Sequence, residues 1–366
     1  MFICDYSILQ GVKARENFVQ CAPFGLFFVD KNGHLKPIAI QLFQEPGLDN
    51  PIFTPTDPPN TWTFAKMWLN NADTGYHQTV SHIGGTHFTM EGILVASHRN
   101  LARSHPIFKL LAPHFLQLVA INKVAVATFV EMDNSVLERT MTLGQTGFFE
   151  VASRHVTSWR MDVHGNLPEV LKLRGVEDPD VLPGFSFRDD GLLVYEAIQN
   201  YAKEYVDIYY TDTDILKGDN ELKSWIEDIV RPTDAAIPGC GIKGVPGNGE
   251  LTTIDQLVQI LTSIIWINSG KHAAVMFKQW DQMAFPPNSP MMLYGSPPQS
   301  KQAKVTDEDI LNALPNREDT MMIGFFLEIL DHPRTNALGN FEVRVFYYCW
   351  YGFDFLFMAQ IHYLYS

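Results

Sequence analysis

The chain has 366 residues, 46% of them hydrophobic, and a formal net charge of −14. That length can bury a large core, and an acidic balance with scattered lysines and arginines excludes a nucleic-acid-binding surface. Cys4, Cys21, Cys240 and Cys349 lie far apart without CxxC spacing, and "MFICDYSILQG" lacks the basic start and apolar run of a signal peptide. These features predict free thiols in a reducing, cytoplasmic setting.

In chain order, residues 1–60 are rich in Pro and Gly, with a strand expected from Ile38 to Phe43 and a proline-punctuated loop after it. Helical spacing begins with Phe64, Met67 and Trp68, runs into the histidines that follow, and restarts near Ser104 and Pro106. Residues 116–150 read as helical. In "DDGLLVYEAIQNYAKEYVDIYY", Asp190 is the expected N-cap and Leu193, Ala197, Tyr201 and Tyr205 the expected buried stripe. Residues 231–250 are a loop, and Thr253–Gln256 forms a capping box ahead of "IDQLVQILTSIIWINSGKHAAVMF". That segment is apolar on nearly every side, which places it mid-core. A last amphipathic piece covers about 307–330. No linker separates independent domains, so 1–340 is expected to be one mainly α domain with a little β near its start. The final 26 residues, 341–366, hold eleven aromatics and three charged groups and form an atypical tail. Asp354 near its centre argues against a membrane span.

"YHQTVSHIGGTHFTMEG" carries His77, His82 and His87 at intervals of five. On a regular α-helix such a step points side chains apart; a π-turn lets residues five apart share a face, and π-turns cluster at functional sites. Two imidazoles could then share a metal, with His272 in the greasy helix as a third ligand and Met276 one turn later. The spacing leaves open which two of the three would bind, and His87 could equally be a hydrogen-bonding neighbour of a ligand. Three neutral imidazoles suit a first-row metal without separating iron, manganese, zinc and copper. The plainer alternative is three ordinary structural histidines, the reading favoured for His98, His105 and His114.

"WTFAKMWLNNADTGYHQTVSHIGGTHFTMEGILVASHRNLARSHPIFKLLAPHF" resembles the metal-binding helix of animal-type lipoxygenases. So do "DYSILQGV", "GHLKPIAIQLFQEPGLDNPIFTPTD", "FRDDGLLVYEAIQNYAKEYVDIYY" and "SGKHAAVMFKQWDQMAFPPNSP", each with its family counterpart and in the family's order. The resemblance implies a helical lipoxygenase catalytic domain built around two long central helices and one non-haem iron, with manganese as second choice. It assigns His77, His82 and His272 as ligands, leaves His87 outside them, and puts Met276 where the family has Asn, His or Ser. A thioether is soft and a poor partner for ferric iron. Neither the family's N-terminal β-barrel domain nor its terminal isoleucine is matched, so the chain is expected to be the middle of such a protein.

The resemblance also implies the chemistry: a polyunsaturated fatty acid with a 1,4-pentadiene unit and dioxygen give a hydroperoxide. Ile83, Ala120 and Val124 become expected pocket walls. In the family, Ala at the "LVAIN" position accompanies S products and Gly accompanies R, so Ala120 predicts S. No transmembrane span is expected, while transient contact with a membrane surface fits a lipid substrate. The alternative is a catalytically incompetent lipoxygenase-like fragment with an incomplete metal site.

Overall fold

The computed structural model describes residues 1–116, 118–129 and 135–331. The expected tail, 341–366, and the boundary at 340 lie outside the described residues.

The chain opens with a three-stranded antiparallel sheet in the order β1 (Phe2–Asp5), β2 (Phe24–Val29), β3 (Leu35–Gln41). The expected strand from Ile38 to Phe43 falls largely within β3. After the proline-rich loop, the regular elements among the described residues are all helices. The helix α1 (Pro59–Tyr76) starts behind Pro58 and Pro59, as fits a residue with fixed φ and no N–H. It runs without interruption into a π-helical segment, His77–Phe88, and then into α2 (Thr89–Asn100). Short helices follow: α3 (Pro106–Leu111), α4 (Leu118–Phe129), α5 (Val136–Thr140), then α6 (Gly144–Ser158), α7 (Met161–His164) and α8 (Leu167–Leu173).

The long helix α9 (Ser186–Tyr209) corrects two sequence expectations. It begins four residues before Asp190, which is therefore inside the helix and not its cap. Three of the four expected stripe residues are turned outward: Leu193 is 69% and Tyr201 54% exposed and Ala197 is exposed, while Tyr205 packs half-buried on the core alongside Gly191, Tyr195, Ala202 and Val206. Both sets recur at helical spacing, and tertiary contact with Trp266, which stacks edge-on against Tyr195, decides between them.

After α10 (Thr213–Gly218) and α11 (Asn220–Val230) comes α12 (Ile254–Trp266). Its predicted capping box is present: Gln256 N–H donates to Thr253 Oγ1, and Gln256 Oε1 accepts from Thr253 N–H. Every residue from Ile260 to Ile267 is buried, as its all-round apolar sequence requires. A second π-helical turn, Ile267–Lys271, leads into α13 (His272–Met276). The described chain closes with α14 (Gln279–Met283), α15 (Asp307–Ala313) and α16 (Arg317–Asp331).

Two apolar clusters organise these elements. One gathers α2, α9, α11 and α12; the other gathers the sheet with α1, α5, α6, α14 and α16. The α1–α2 rod contributes Val80 to one cluster and Met90 to the other, and the chain from Ile267 to Met283 crosses between them in the same way. Both π-segments therefore sit at the seam. Polar side chains can meet there at a lower cost than inside either core.

One stretch among the described residues, Pro106–Ala127, is long and apolar enough to cross a membrane, with mean hydropathy 1.5. In the fold it is broken into α3, a 3-10 turn at Ala112–Phe115 and α4, and Ile107, Leu110, Leu111, Phe115 and Leu118 pack into the first cluster.

Candidate metal centre

The hydrogen bonding of the π-segment, i to i+5, brings residues five apart onto one side. Two intervals satisfy that condition, 77 to 82 and 82 to 87, and the structure selects the second. The ligand atoms of His82, His87 and His272 lie within 4.8 Å of one another. Their ring centroids are 5.2 Å (82–87), 5.5 Å (82–272) and 4.8 Å (87–272) apart.

His77 was expected in this group and is elsewhere. Its Nε2 is 2.8 Å from the carbonyl oxygen of Val275, which also accepts from Gln279 Nε2 at 3.0 Å. The imidazole acts as a clamp between the π-segment and the end of α13. This corrects the ligand set: His87 enters it and His77 leaves. The physical reason is that the Val275 carbonyl, near the end of α13, lacks a helical partner and takes the His77 N–H.

Two amide relays orient the ligands. His87 Nδ1 faces Asn122 Oδ1 at 2.7 Å, and Asn122 Nδ2 donates to Glu91 Oε2 at 2.6 Å. A carboxylate accepts only, so it fixes the Asn122 amide with its oxygen toward His87. His87 therefore carries its proton on Nδ1 and leaves the Nε2 lone pair free. On the other side His82 Nδ1 is 3.2 Å from Gln78 Oε1, and Gln78 Nε2 donates to Gln279 Oε1 at 2.5 Å. His82 Nε2 is fully buried without a partner. His87 Nε2 and His272 Nε2 face each other at 2.9 Å. An orphaned nitrogen and two opposed lone-pair positions form a donor set that a single cation would satisfy. Neither Asn122 nor Glu91 was singled out from sequence. They lie 35 and 4 residues from His87, and no periodicity links a loop-separated asparagine to a ligand.

Electrostatics keep the triad neutral. Burial, then the imidazoles of His87, His272 and His77, hold His82 well below the usual histidine range. Burial lowers His87, and burial with His87 brings His272 down to about 3. Neutral imidazole is the metal-binding form. Met276, one turn beyond His272 on α13, is 5% exposed. Among the described residues no carboxylate belongs to the cluster. The donor set fits a first-row divalent metal held by nitrogen.

Of the expected walls, Ile83 is half-buried against the second apolar cluster and Val124 is half-buried on α4. Ala120 is exposed. It stands two residues before Asn122, roughly 200° around the helix, so it faces away from the side that reaches His87.

Two measurements follow from this geometry. Asn122→Ala removes the acceptor that fixes the His87 tautomer and is expected to weaken metal affinity about 10- to 100-fold. Glu91→Gln should do less, because glutamine can still accept from Asn122. Metal competition titrations on both variants read the difference, and equal wild-type affinity in Asn122→Ala would contradict the relay.

The second concerns the metal-free protein. His77, His82, His87, His155 and His272 all have pKa values lowered by burial, His155 and His272 to about 3. Unfolded histidines titrate near 6.5, so below that pH the unfolded chain binds more protons than the folded one. Stability is then present above about 6.5 and is lost as pH falls toward 3. With several groups acting together the slope should exceed that of one proton, about 1.4 kcal/mol per pH unit. Urea unfolding at a series of pH values measures it; constant stability between roughly pH 7 and 5 would refute the assignment.

The family model described as lipoxygenase matches residues 1–337. The chain is 41% identical over 300 residues to the allene oxide synthase-lipoxygenase protein of Plexaura homomalla, covering 81% of this chain and 27% of that protein. It is 36% identical over 349 residues to polyunsaturated fatty acid lipoxygenase ALOX8 of Mus musculus, covering 93% and 50%. Among solved structures, a lipoxygenase deletion variant in complex with arachidonate superposes with a TM-score of 0.86 at 36% identity, over 92% of this chain and 51% of that one. Coral 8R-lipoxygenase superposes with a TM-score of 0.83 at 37% identity, over 90% and 49%. The chain thus spans about half the length of these matches, or less.

Proposed function

The chain belongs to the lipoxygenase family, and on that premise we propose that it is a non-haem iron dioxygenase acting on polyunsaturated fatty acids. The observation that carries this reading is the convergence of three neutral imidazoles, one with an orphaned buried Nε2, at the seam between two apolar clusters. His82, His87 and His272 would hold the iron, with Met276 at the fourth position. When bound, iron supplies the one-electron chemistry that takes a hydrogen atom from the methylene between two cis double bonds. That C–H bond is weak because the resulting radical spreads over five carbons. The protein's share is positioning and exclusion of water. The two amide relays keep the imidazoles aimed, and half-buried Ile83 and Val124 supply apolar wall beside them. Dioxygen then adds to the substrate, and reduction of the peroxyl radical gives a hydroperoxide.

The test is expression with iron, measurement of bound metal, and assay of conjugated-diene hydroperoxide from linoleic or arachidonic acid. Iron-dependent product supports the reading; stoichiometric iron without product overturns it. The S configuration belongs to the same proposal and is read by chiral chromatography. Because Ala120 is exposed, Ala120→Gly separately asks whether that methyl takes part, and an unchanged ratio removes it. A cytoplasmic location, consistent with the free thiols of Cys4, Cys21 and Cys240, is tested by cell fractionation, as is binding to membrane vesicles by sedimentation.

One observation favours a second reading. Among the described residues the triad has no anionic donor, and Met276 offers a neutral thioether. A catalytically incompetent protein would purify with little iron from iron-replete cells, whereas a dioxygenase would not.

A further inference from the structure

We propose that Lys271 and His155 form a binding site for a small monovalent oxyanion of the carboxylate or bicarbonate type, on the far side of the first π-segment from the triad and coupled to metal binding there. The coupling rests on the reading of the triad as a metal site; the anion site itself does not.

Two unmatched groups carry the inference. Lys271 ends the second π-turn and immediately precedes His272. It is half-buried, and its Nζ donates to the Gly85 carbonyl at 3.2 Å. Among the described residues no carboxylate pairs with it. His155, on the buried face of α6, is 8% exposed, and its Nε2 is fully buried without a partner. The two nitrogens converge over a glycine pair of the first π-segment. A Cβ on Gly85 would stand 3.3 Å from both His155 Nε2 and Lys271 Nζ, and one on Gly84 would stand 3.3 Å from His155 Cδ2. Glycine lets both side chains come this close to the backbone. The surroundings add donors and no free acid. His164 lies 5.7 Å from the His155 ring and stacks on Trp159, whose buried Nε1 is a second unpartnered nitrogen. Asp162 is bound to Arg160 at 2.6 Å.

Charge selects the ligand. One ammonium balances one negative charge, which fits a monoanion and not a phosphate dianion. With its proton on Nε2, His155 supplies a second donor, and the two oxygens of a planar carboxylate can accept one bond from each nitrogen. Residues five apart share a side of the π-segment, so Gly84 and Gly85, two and three residues after His82, face away from the triad. A fatty acid with its pentadiene at the metal would not bring its own carboxylate to that side, so the ligand is a free ion. The link to the metal is direct. The Lys271–Gly85 bond ties the turn that carries His272 to the segment that carries His82 and His87. An unpaired ammonium beside them opposes the arrival of a second cation. An anion neutralises the lysine and holds it in place. Metal and anion should then raise each other's affinity by the same factor.

Formate is the probe, titrated by calorimetry into the metal-free protein at constant ionic strength. One equivalent should bind to the wild type and to Lys203→Gln, which alters an exposed cation on α9. Binding should be lost in Lys271→Met and in His155→Phe, with circular dichroism confirming that both fold. Zinc competition titrations then read the triad. Saturating formate should raise zinc affinity about 5-fold or more in the wild type and leave it unchanged in Lys271→Met. No saturable formate binding by the wild type would overturn the site, as would undiminished binding by both variants. Formate binding that leaves zinc affinity unchanged would overturn the coupling. Displacement of formate by linoleate but not by linoleyl alcohol would assign the carboxylate to the fatty acid and overturn the free ion. Dioxygenase activity is assayed separately with iron, fatty acid and oxygen, so the two readings can fail independently.

Discussion

Alanine at His82, His87 or His272 should strip the centre of its metal, and alanine at His77 should not. Each triad histidine supplies one of three nitrogen donors whose ligand atoms lie within 4.8 Å. Removing one leaves two imidazoles and Met276, too few donors to hold a first-row ion against dilution. The loss should exceed the roughly 100-fold that follows removal of a group merely orienting a ligand. His77 is bound to the Val275 carbonyl instead. Its replacement leaves one helix-end carbonyl with Gln279 as remaining partner, a cost of about 1–3 kcal/mol in stability at most. Metal content after dialysis against a weak chelator separates the cases. Metal lost from His77→Ala and kept by His87→Ala would restore the set that spacing and resemblance suggested, and would refute the geometry.

That contrast shows how far the sequence could be read. The five-residue interval announced a π-segment, and the structure has one from His77 to Phe88. The interval occurs twice, however, and local periodicity is identical for both. What separates them is tertiary: an Asn122–Glu91 relay behind His87, and a carbonyl on α13 in front of His77. His272 was legible because an imidazole in a greasy helix needs a partner. The cap at Thr253 was legible because both of its hydrogen bonds are local. The buried stripe of α9 was not, since Leu193 and Tyr201 are as apolar as the residues that pack, and only the position of Trp266 settles the rotation. Ala120 was chosen by resemblance at a position whose exposure no single sequence reveals.

The largest effect on stability is expected far from the metal, at Asp228. This carboxylate on α11 is 1% exposed. It accepts from Arg99 Nη1 at 3.0 Å and Asn100 Nδ2 at 2.8 Å, both at the end of α2, and from the Arg231 guanidinium. Trp225 Nε1, also on α11, donates to Ser97 Oγ at 3.0 Å. Together these bonds tie down the far end of the rod that carries His82 and His87. Asp228→Ala would leave two guanidinium groups and an amide without their shared acceptor. The Arg99 and Arg231 side chains are 53% and 31% exposed, so water takes up part of the loss, and the cost should be about 1.5–3 kcal/mol. Asp228→Asn should cost less, since its amide oxygen still accepts. The π-segment itself is clamped locally by Gln78, Gln279 and His77. The folded fraction of Asp228→Ala should therefore bind metal with nearly wild-type affinity while unfolding at a lower denaturant concentration. Urea unfolding paired with metal titration below the transition measures both. A variant that keeps its stability but loses metal would mean that α11 is coupled to the triad in a way these contacts do not contain.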